Sequence, residues 1–140
     1  MPIVALLDAG VVYNFYTKNT NEKIVQLMDD INTGKVEGRI FYPTLVEIFS
    51  HLCKMPGGVS FAEVTISSFL ITYKVEIIPI DESIMFKAGR LKCQFRAELS
   101  NVDCISIAYA LNQNVTFHTT EKNLGELIPK LKLVMYRFKK

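Results

Sequence analysis

The residues of this chain best suited to chemistry are acids that stand alone. The 140 residues include 16 Lys and Arg and 14 Asp and Glu, so a charge falls on average at every fourth or fifth position. Three stretches depart from that average. Residues 1–17 contain only Asp8, residues 40–53 only Glu47, and residues 99–120 only Asp103. Each acid is set among Leu, Val, Ile, Phe or Ala, where an unpaired carboxylate is costly to bury, so each needs a partner or a cation. Glu121 follows the third stretch through Thr119 and Thr120. A cluster of carboxylates suits hard divalent cations with oxygen ligands, chiefly Mg²⁺ or Mn²⁺. Each acid also has a local alternative. Thr44-x-x-Glu47 and Ser100-x-x-Asp103 match the capping-box pattern, Asp8 can cap a helix beginning at Ala9, and Glu121 can be a surface turn residue. One shared site accounts for all four positions at once, where capping needs four separate explanations.

The elements that must position these acids alternate between two periodicities. Ile3 to Leu7 is a continuous apolar run of strand length, suited to a strand covered on both faces of a parallel sheet. Residues 22–32 place Ile24, Leu27, Met28 and Ile31 on one helical face, and Gly34 stops that helix. Residues 39–42 read as a short strand, with Pro43 placed as a first helical residue. A helix apolar nearly all round follows over 45–53 and ends before Met55-Pro56-Gly57-Gly58. Ser60 with Glu63 suggests a capping box opening a helix to about Thr72. Residues 75–80 read as a strand, and Asp81 caps a long helix carrying Ile84, Ala88, Leu91 and Phe95. Further elements are a helix over 101–112, a strand over 114–118, a short helix over 124–127 and a last strand over 132–137. This alternation predicts a three-layer α/β/α sandwich with a mostly parallel central sheet, as one domain over residues 1–140. Such folds bind ligands beyond the carboxyl ends of their strands, which is where Asp8 and Glu121 fall.

Composition narrows the class without naming a chemistry. Hydrophobic residues make up 49% of the chain, enough apolar surface to exclude a disordered tail. No apolar run approaches the ~20 residues of a membrane span, and the opening residues are too short and not basic enough for a signal peptide. Net charge is only +2, so bulk charge neither demands nor forbids a nucleic-acid partner. Cys53, Cys93 and Cys104 form no C-x-x-C pair; they are expected as small buried hydrophobes in a reducing, cytoplasmic setting. His51 is expected to pack, and His118 is assigned no role. The dinucleotide and P-loop signatures G-x-G-x-x-G and G-x-x-x-x-G-K-[ST] are absent, as is a D-x-D phosphatase motif. A phospho-receiver domain would need an acidic pair after the first strand and an Asp near mid-chain after a strand; neither is present.

The order of the acidic motifs resembles that of the PIN domain, especially small proteins similar to VapC toxins. The resemblance rests on Asp8 after an N-terminal apolar strand, Glu47 in Pro43-Thr44-Leu45-Val46-Glu47-Ile48, Asp103 in Leu99-Ser100-Asn101-Val102-Asp103-Cys104, and Thr119-Thr120-Glu121-Lys122-Asn123-Leu124. It covers essentially the whole chain. It implies a metal-dependent ribonuclease in which Asp8, Glu47 and Asp103 hold one or two Mg²⁺ or Mn²⁺ ions. Glu121 would be a ligand, a water-mediated contact or a positioner, and Thr119 would hold Asp8 by a hydrogen bond. It also implies a homodimer and, for toxins, a small antitoxin bound over the active-site groove, with helices 22–32 and 45–53 as its walls. The chain departs from the family in carrying Ala9 and Gly10 where small hydroxyl residues usually follow the first Asp. It also carries Glu121 for the usual Asp and Leu124 for the usual Phe. The missing hydroxyls are the best support for the alternative, a catalytically weak or inert PIN-like module that binds RNA or protein.

Two further expectations concern charge. Like charges about 4 Å apart cost on the order of 4 kcal/mol at an effective dielectric near 20, so without a cation some of these acids should have raised pKa values. Lys87, Arg90, Lys92 and Arg96, on the polar side of the helix preceding Asp103, are candidate RNA-phosphate contacts, with Arg137, Lys139 and Lys140 at the C-terminus.

Overall fold

A computed structural model describes residues 3–17 and 20–138. The elements in chain order are β1 (Ile3–Leu7), α1 (Ala9–Phe15), α2 (Glu22–Asn32), β2 (Val36–Ile40), α3 (Tyr42–Leu52), α4 (Gly58–Tyr73), β3 (Glu76–Ile77), α5 (Glu82–Gln94), α6 (Asn101–Gln113), β4 (Thr116–Thr119), α7 (Leu124–Leu127) and β5 (Leu133–Met135). The strands form one sheet in the order β3-β2-β1-β4-β5. Every pairing in it is parallel.

The central strand shows why the fold has three layers. In β1, Ala5 and Leu7 project into a core shared with Ile24 and Met28 of α2, Ile48 and Leu52 of α3 and Phe69 of α4. Leu6, between them, projects the other way, into a core with Ile84 of α5, Ile107 of α6 and Phe117 of β4. Alternate residues of a strand face opposite sides, so an unbroken apolar run requires helices on both. The chain leaves β1 toward β2 and β3 and then returns to the other side of β1 as β4. The strand order therefore reverses between β1 and β4, where open α/β sheets form a crevice at the carboxyl ends.

Several boundaries differ from the sequence expectation, each for a local reason. The second strand is Val36–Ile40, earlier than residues 39–42, because its polar members find partners in the sheet and on α6. Arg39 lies 2.7 Å from Glu37 and 3.6 Å from Glu76, and donates a 2.8 Å hydrogen bond to the Tyr109 hydroxyl. The helix expected at 45–53 starts at Tyr42, with Phe41 at its N-cap, so Pro43 is the second helical residue rather than the first. No capping box forms at Ser60 and Glu63. Gly57, at φ 99, caps α4 instead, a left-handed conformation that glycine adopts freely. The strand expected over 75–80 is reduced to Glu76–Ile77. The strand expected over 114–118 is Thr116–Thr119, because Asn114 ends α6 in a left-handed conformation at φ 55. The last strand, expected over 132–137, is Leu133–Met135. Helix α1 had been visible only as the capping alternative for Asp8. The strand at 3–7, the helices at 22–32 and 124–127 and the Asp81 cap stand as expected, Asp81 accepting from the Ile84 N–H at 2.8 Å.

The cysteines divide. Cys104 is buried and Cys53 half-buried, but Cys93 is exposed, against the expectation for all three. His51 stacks on Tyr13 with ring centroids 4.0 Å apart. His118 is buried, and its Nδ1 lies 2.8 Å from the Tyr136 hydroxyl. Among the described residues, no helix is long and apolar enough to cross a membrane. Because Leu6 is wholly buried at the centre of the sheet, Leu6→Ala is expected to lower stability by about 2–5 kcal/mol in urea unfolding. Ile71→Ala, at a position 77% exposed on α4, should stay within roughly 0.5 kcal/mol of wild type.

Candidate metal centre

Asp8 occupies the junction between β1 and α1. The β1–β4 ladder continues one step past β1, the Asp8 N–H donating to the His118 carbonyl at 3.0 Å. The chain then turns directly into α1, with Asp8 as its N-cap. One carboxylate oxygen, Oδ1, accepts from the Ala9 N–H at 2.9 Å, and Oδ2 accepts from the Thr119 hydroxyl at 2.6 Å. The capping reading holds for this residue, and the capping carboxylate stands at the carboxyl edge of the sheet.

Thr119 ends β4 and is fully buried. Its hydroxyl donates to Asp8 and accepts from the Glu121 N–H at 3.0 Å, so one side chain joins the first and last acids. Asp103 is held by its own helix. Its N–H donates to the Ser100 hydroxyl at 3.1 Å, and its Oδ2 accepts from the Ser100 N–H at 3.2 Å, a complete capping box. The predicted cap at Thr44 and Glu47 does not form. Phe41 is the N-cap of α3, and the buried Thr44 hydroxyl has no hydrogen-bond partner among the described residues. Glu47, half-buried one turn into α3, is left free of any capping duty.

Asp8, Asp103 and Glu121 each bring one carboxylate oxygen to within 4.8 Å of the others. Asp8 and Asp103 are buried and Glu121 is exposed, so the cluster opens to solvent on the Glu121 side. Glu47 lies outside this tight group but within its field. Burial, then repulsion from Asp103 and Glu121, raises its pKa. Glu121 is likewise raised by burial and by Asp103. The Asp8 carboxyl is pushed up to about 7, first by burial and further by Asp103 and Glu47, against the hydrogen bonds from Thr119 and Ala9. Among the described residues no Lys, Arg or His forms an ion pair with these acids; the ion pairs there are those of Arg39 with Glu37 and Glu76. An all-oxygen donor set of like charges, closely spaced and without such a pair, fits a hard divalent cation.

Of the residues near the cluster, Tyr13 was not singled out by sequence, whereas Gly10 and Thr120 were named there but not as neighbours. The Tyr13 hydroxyl has a raised pKa from burial and then from Glu47, Asp8 and Glu121, which places it beside the acids on α1. Gly10, in the first turn of α1, lies against Thr120; a Cβ on Gly10 would fall 2.1 Å from the Thr120 hydroxyl oxygen. The signal for Tyr13 was α1 itself, whose seven residues are too few to show a helical period.

The candidate phosphate-binding cations separate into two kinds. Lys87 bonds to Asn112, and Lys92 donates to the carbonyls of Leu99 at 2.6 Å and Arg96 at 3.0 Å. Both are half-buried and tie α5 to α6 and the connection between them. Arg90 and Arg96 are exposed. Arg137 is exposed as well, and Lys139 and Lys140 lie outside the described residues.

The PIN domain family model matches residues 5–127. A comparison with curated proteins finds no match. Among solved structures, VapBC2 from Rickettsia felis bound to a DNA fragment from its promoter is similar at 17% identity and a TM-score of 0.76, over 96% of this chain and 100% of that one. DNA-bound VapBC from Salmonella typhimurium is similar at 16% identity and a TM-score of 0.69, over 95% and 98%. PAE2754 from Pyrobaculum aerophilum is similar at 17% identity and a TM-score of 0.64, over 94% and 87%. The parallel sheet with its order reversed at β1, the acids gathered at that reversal and a match spanning 5–127 agree, and the chain belongs to the PIN domain family.

Proposed function

We propose that this protein is a metal-dependent endoribonuclease that hydrolyses RNA phosphodiester bonds, and that it is the toxin of a VapBC-type toxin–antitoxin pair. The observation that carries the reading is the meeting of Asp8, Asp103 and Glu121 within 4.8 Å at the carboxyl edge of the sheet. Asp8, Asp103 and Glu47 would hold Mg²⁺ or Mn²⁺, with Glu121 as a further ligand or a positioner. When bound, such a cation offsets phosphate charge and lowers the pKa of water toward neutrality. The chain's own residues supply position. The Thr119 hydroxyl and the Ala9 N–H fix both oxygens of Asp8, and the Ser100 capping box fixes Asp103. The two histidines have other contacts, His118 with Tyr136 and His51 with Tyr13, and this reading assigns neither a role in proton transfer. Arg90 and Arg96 are free to meet RNA phosphates, whereas Lys87 and Lys92 have structural bonds that RNA would have to share.

The partners in this reading are an RNA substrate, a small antitoxin and a second copy of the chain, in the cytoplasm. Val25 on α2 and Tyr42 and Val46 on α3 are exposed apolar residues on the helices assigned to the antitoxin groove. Met85 and Phe86 of α5, with Ile80 before it, form another exposed apolar face, suited to self-association. In the alternative reading, an inert PIN-like module binding RNA or protein, the same acids would serve only structure.

An RNA cleavage assay separates the two. Activity is expected with Mn²⁺ or Mg²⁺, none with EDTA, and none in Asp8→Asn under either condition. Undiminished cleavage by Asp8→Asn or in EDTA would exclude the mechanism, and no cleavage by wild type with Mn²⁺ would favour the inert module. Metal binding is expected to raise the melting temperature.

The Asp8 carboxyl predicts a pH dependence in the metal-free protein. Its pKa is raised from 3.8 to about 7 on folding, so between those values the folded state binds more protons than the unfolded one. Stability is then fully present below about 4 and declines as pH rises toward 7, by at most roughly 4 kcal/mol. Asp8→Asn removes that decline, so the metal-free variant should melt above wild type at neutral pH and equal it or fall below it near pH 4. Parallel pH profiles for the two proteins would refute the assignment.

A further inference from the structure

The glycine that follows Ala9 takes on a different meaning once its neighbour is known. An ideal Cβ on Gly10 would lie 2.1 Å from Thr120 Oγ1, 3.2 Å from Thr120 Cβ and 3.3 Å from Thr120 Cγ2. All three heavy atoms of the threonine side chain therefore crowd the space that a side chain at position 10 would need. Real Cβ atoms do not approach other atoms at 2.1 Å, so residue 10 is restricted to glycine as long as Thr120 stays where it is. Gly10 has no positive φ that would call for glycine on backbone grounds. Its smallness serves a contact.

That contact lies between two parts of the acidic site. Gly10 is two residues after Asp8, in the first turn of the helix that Asp8 caps. Thr120 stands between Thr119, which bonds Asp8, and Glu121, whose carboxylate joins the cluster. Glu121 is the exposed member of that cluster and lies outside any helix or strand. An exposed side chain on a loop keeps a defined position only if its backbone is held. The hydrogen bond from the Glu121 N–H to Thr119 Oγ1 is one anchor, but a single bond leaves the segment free to pivot. The packing of Thr120 against α1 is a second anchor, one residue away and on a different element.

We propose that Gly10 and Thr120 form one positioning unit: the Thr120 side chain seats in the space left by Gly10 in the first turn of α1, and that seat holds Glu121 against Asp8 and Asp103. Neither residue is a metal ligand in this proposal. The unit acts by shape, so the side-chain volume at 120 matters more than its hydroxyl. The metal half of the proposal rests on the ribonuclease reading above, whereas the positioning half does not. It also changes the weight of Ala9 and Gly10. A chain that seats Thr120 against α1 has no room for a side chain at position 10, so the absence of a hydroxyl there does not mark a decayed site.

The test uses the whole chain and two readouts, amide hydrogen exchange followed by NMR without metal and Mn²⁺ affinity by calorimetry. Gly10→Ala should expel Thr120, accelerate exchange of the Glu121 amide by about tenfold or more with the α6 core amides unchanged, and weaken Mn²⁺ binding by a similar factor. Thr120→Val, which keeps the shape, should stay within about twofold of wild type in both. Thr120→Gly removes the side chain without creating a clash and should reproduce the Gly10→Ala effects, which covers the case in which Gly10→Ala fails to fold. The double variant Gly10→Ala/Thr120→Ala restores contact from the α1 side and should be less impaired than Gly10→Ala alone. Wild-type exchange at Glu121 in Thr120→Gly, or losses that simply add in the double variant, would overturn the proposal. A wild-type protein that binds no Mn²⁺ would refute the ribonuclease reading, while the exchange rates would still decide the positioning claim.

Discussion

Asp8 carries the central constraint of this molecule, a carboxylate withdrawn from water at the end of the innermost strand. Its position follows from the sheet: β1 is flanked by β2 and β4, helices cover both faces, and the first residue past the strand is already beneath other elements. Two donors meet its two oxygens, the Ala9 N–H and the Thr119 hydroxyl. They do not offset the burial and the neighbouring acids, because its pKa still stands near 7. A group so placed lowers the stability of the metal-free fold at neutral pH. Its presence makes physical sense when something positive completes the site.

The remaining acids are arranged around that constraint by separate local devices. Asp103 is anchored by a capping box at the start of α6, so its position is set by the helix that carries it. Glu121 is anchored through Thr119, the residue that also holds Asp8. Glu47 has no cap to satisfy and projects from α3 into the field of the others. The cluster thus combines two carboxylates fixed by backbone geometry with two on longer, less buried side chains. Such a set can grip a cation while leaving one side open to a substrate.

Much of this was legible because the chain isolates its acids. Asp8, Glu47 and Asp103 each stand alone in a long uncharged stretch, and that pattern survives any error in element boundaries. The boundary errors had physical sources. The expected strand at 39–42 starts late because Glu37 and Gly38 look like loop residues until Glu37 is seen to pair with Arg39 inside the strand. The opening of α4 was misplaced because two glycines turn the chain before Ser60 is reached. Cys93 reads as buried because it follows Leu91 and precedes Phe95, yet it is exposed.

The sequence by itself determined the layer architecture and which acids stand alone among apolar neighbours. Both depend on local quantities: strand-length apolar runs, helical periodicity, and single charges among apolar neighbours. The tertiary structure decided which acids meet. It drew Asp8, Asp103 and Glu121 into one group and left Glu47 outside it, a distinction that spacing along the chain does not encode. It also decided the fit of Gly10 to Thr120, residues 110 positions apart in the chain. Their relation exists only because β1 and β4 are neighbours in the sheet. That adjacency is a non-local pairing, selected by how the two cores pack on the central strand and by no residue acting alone.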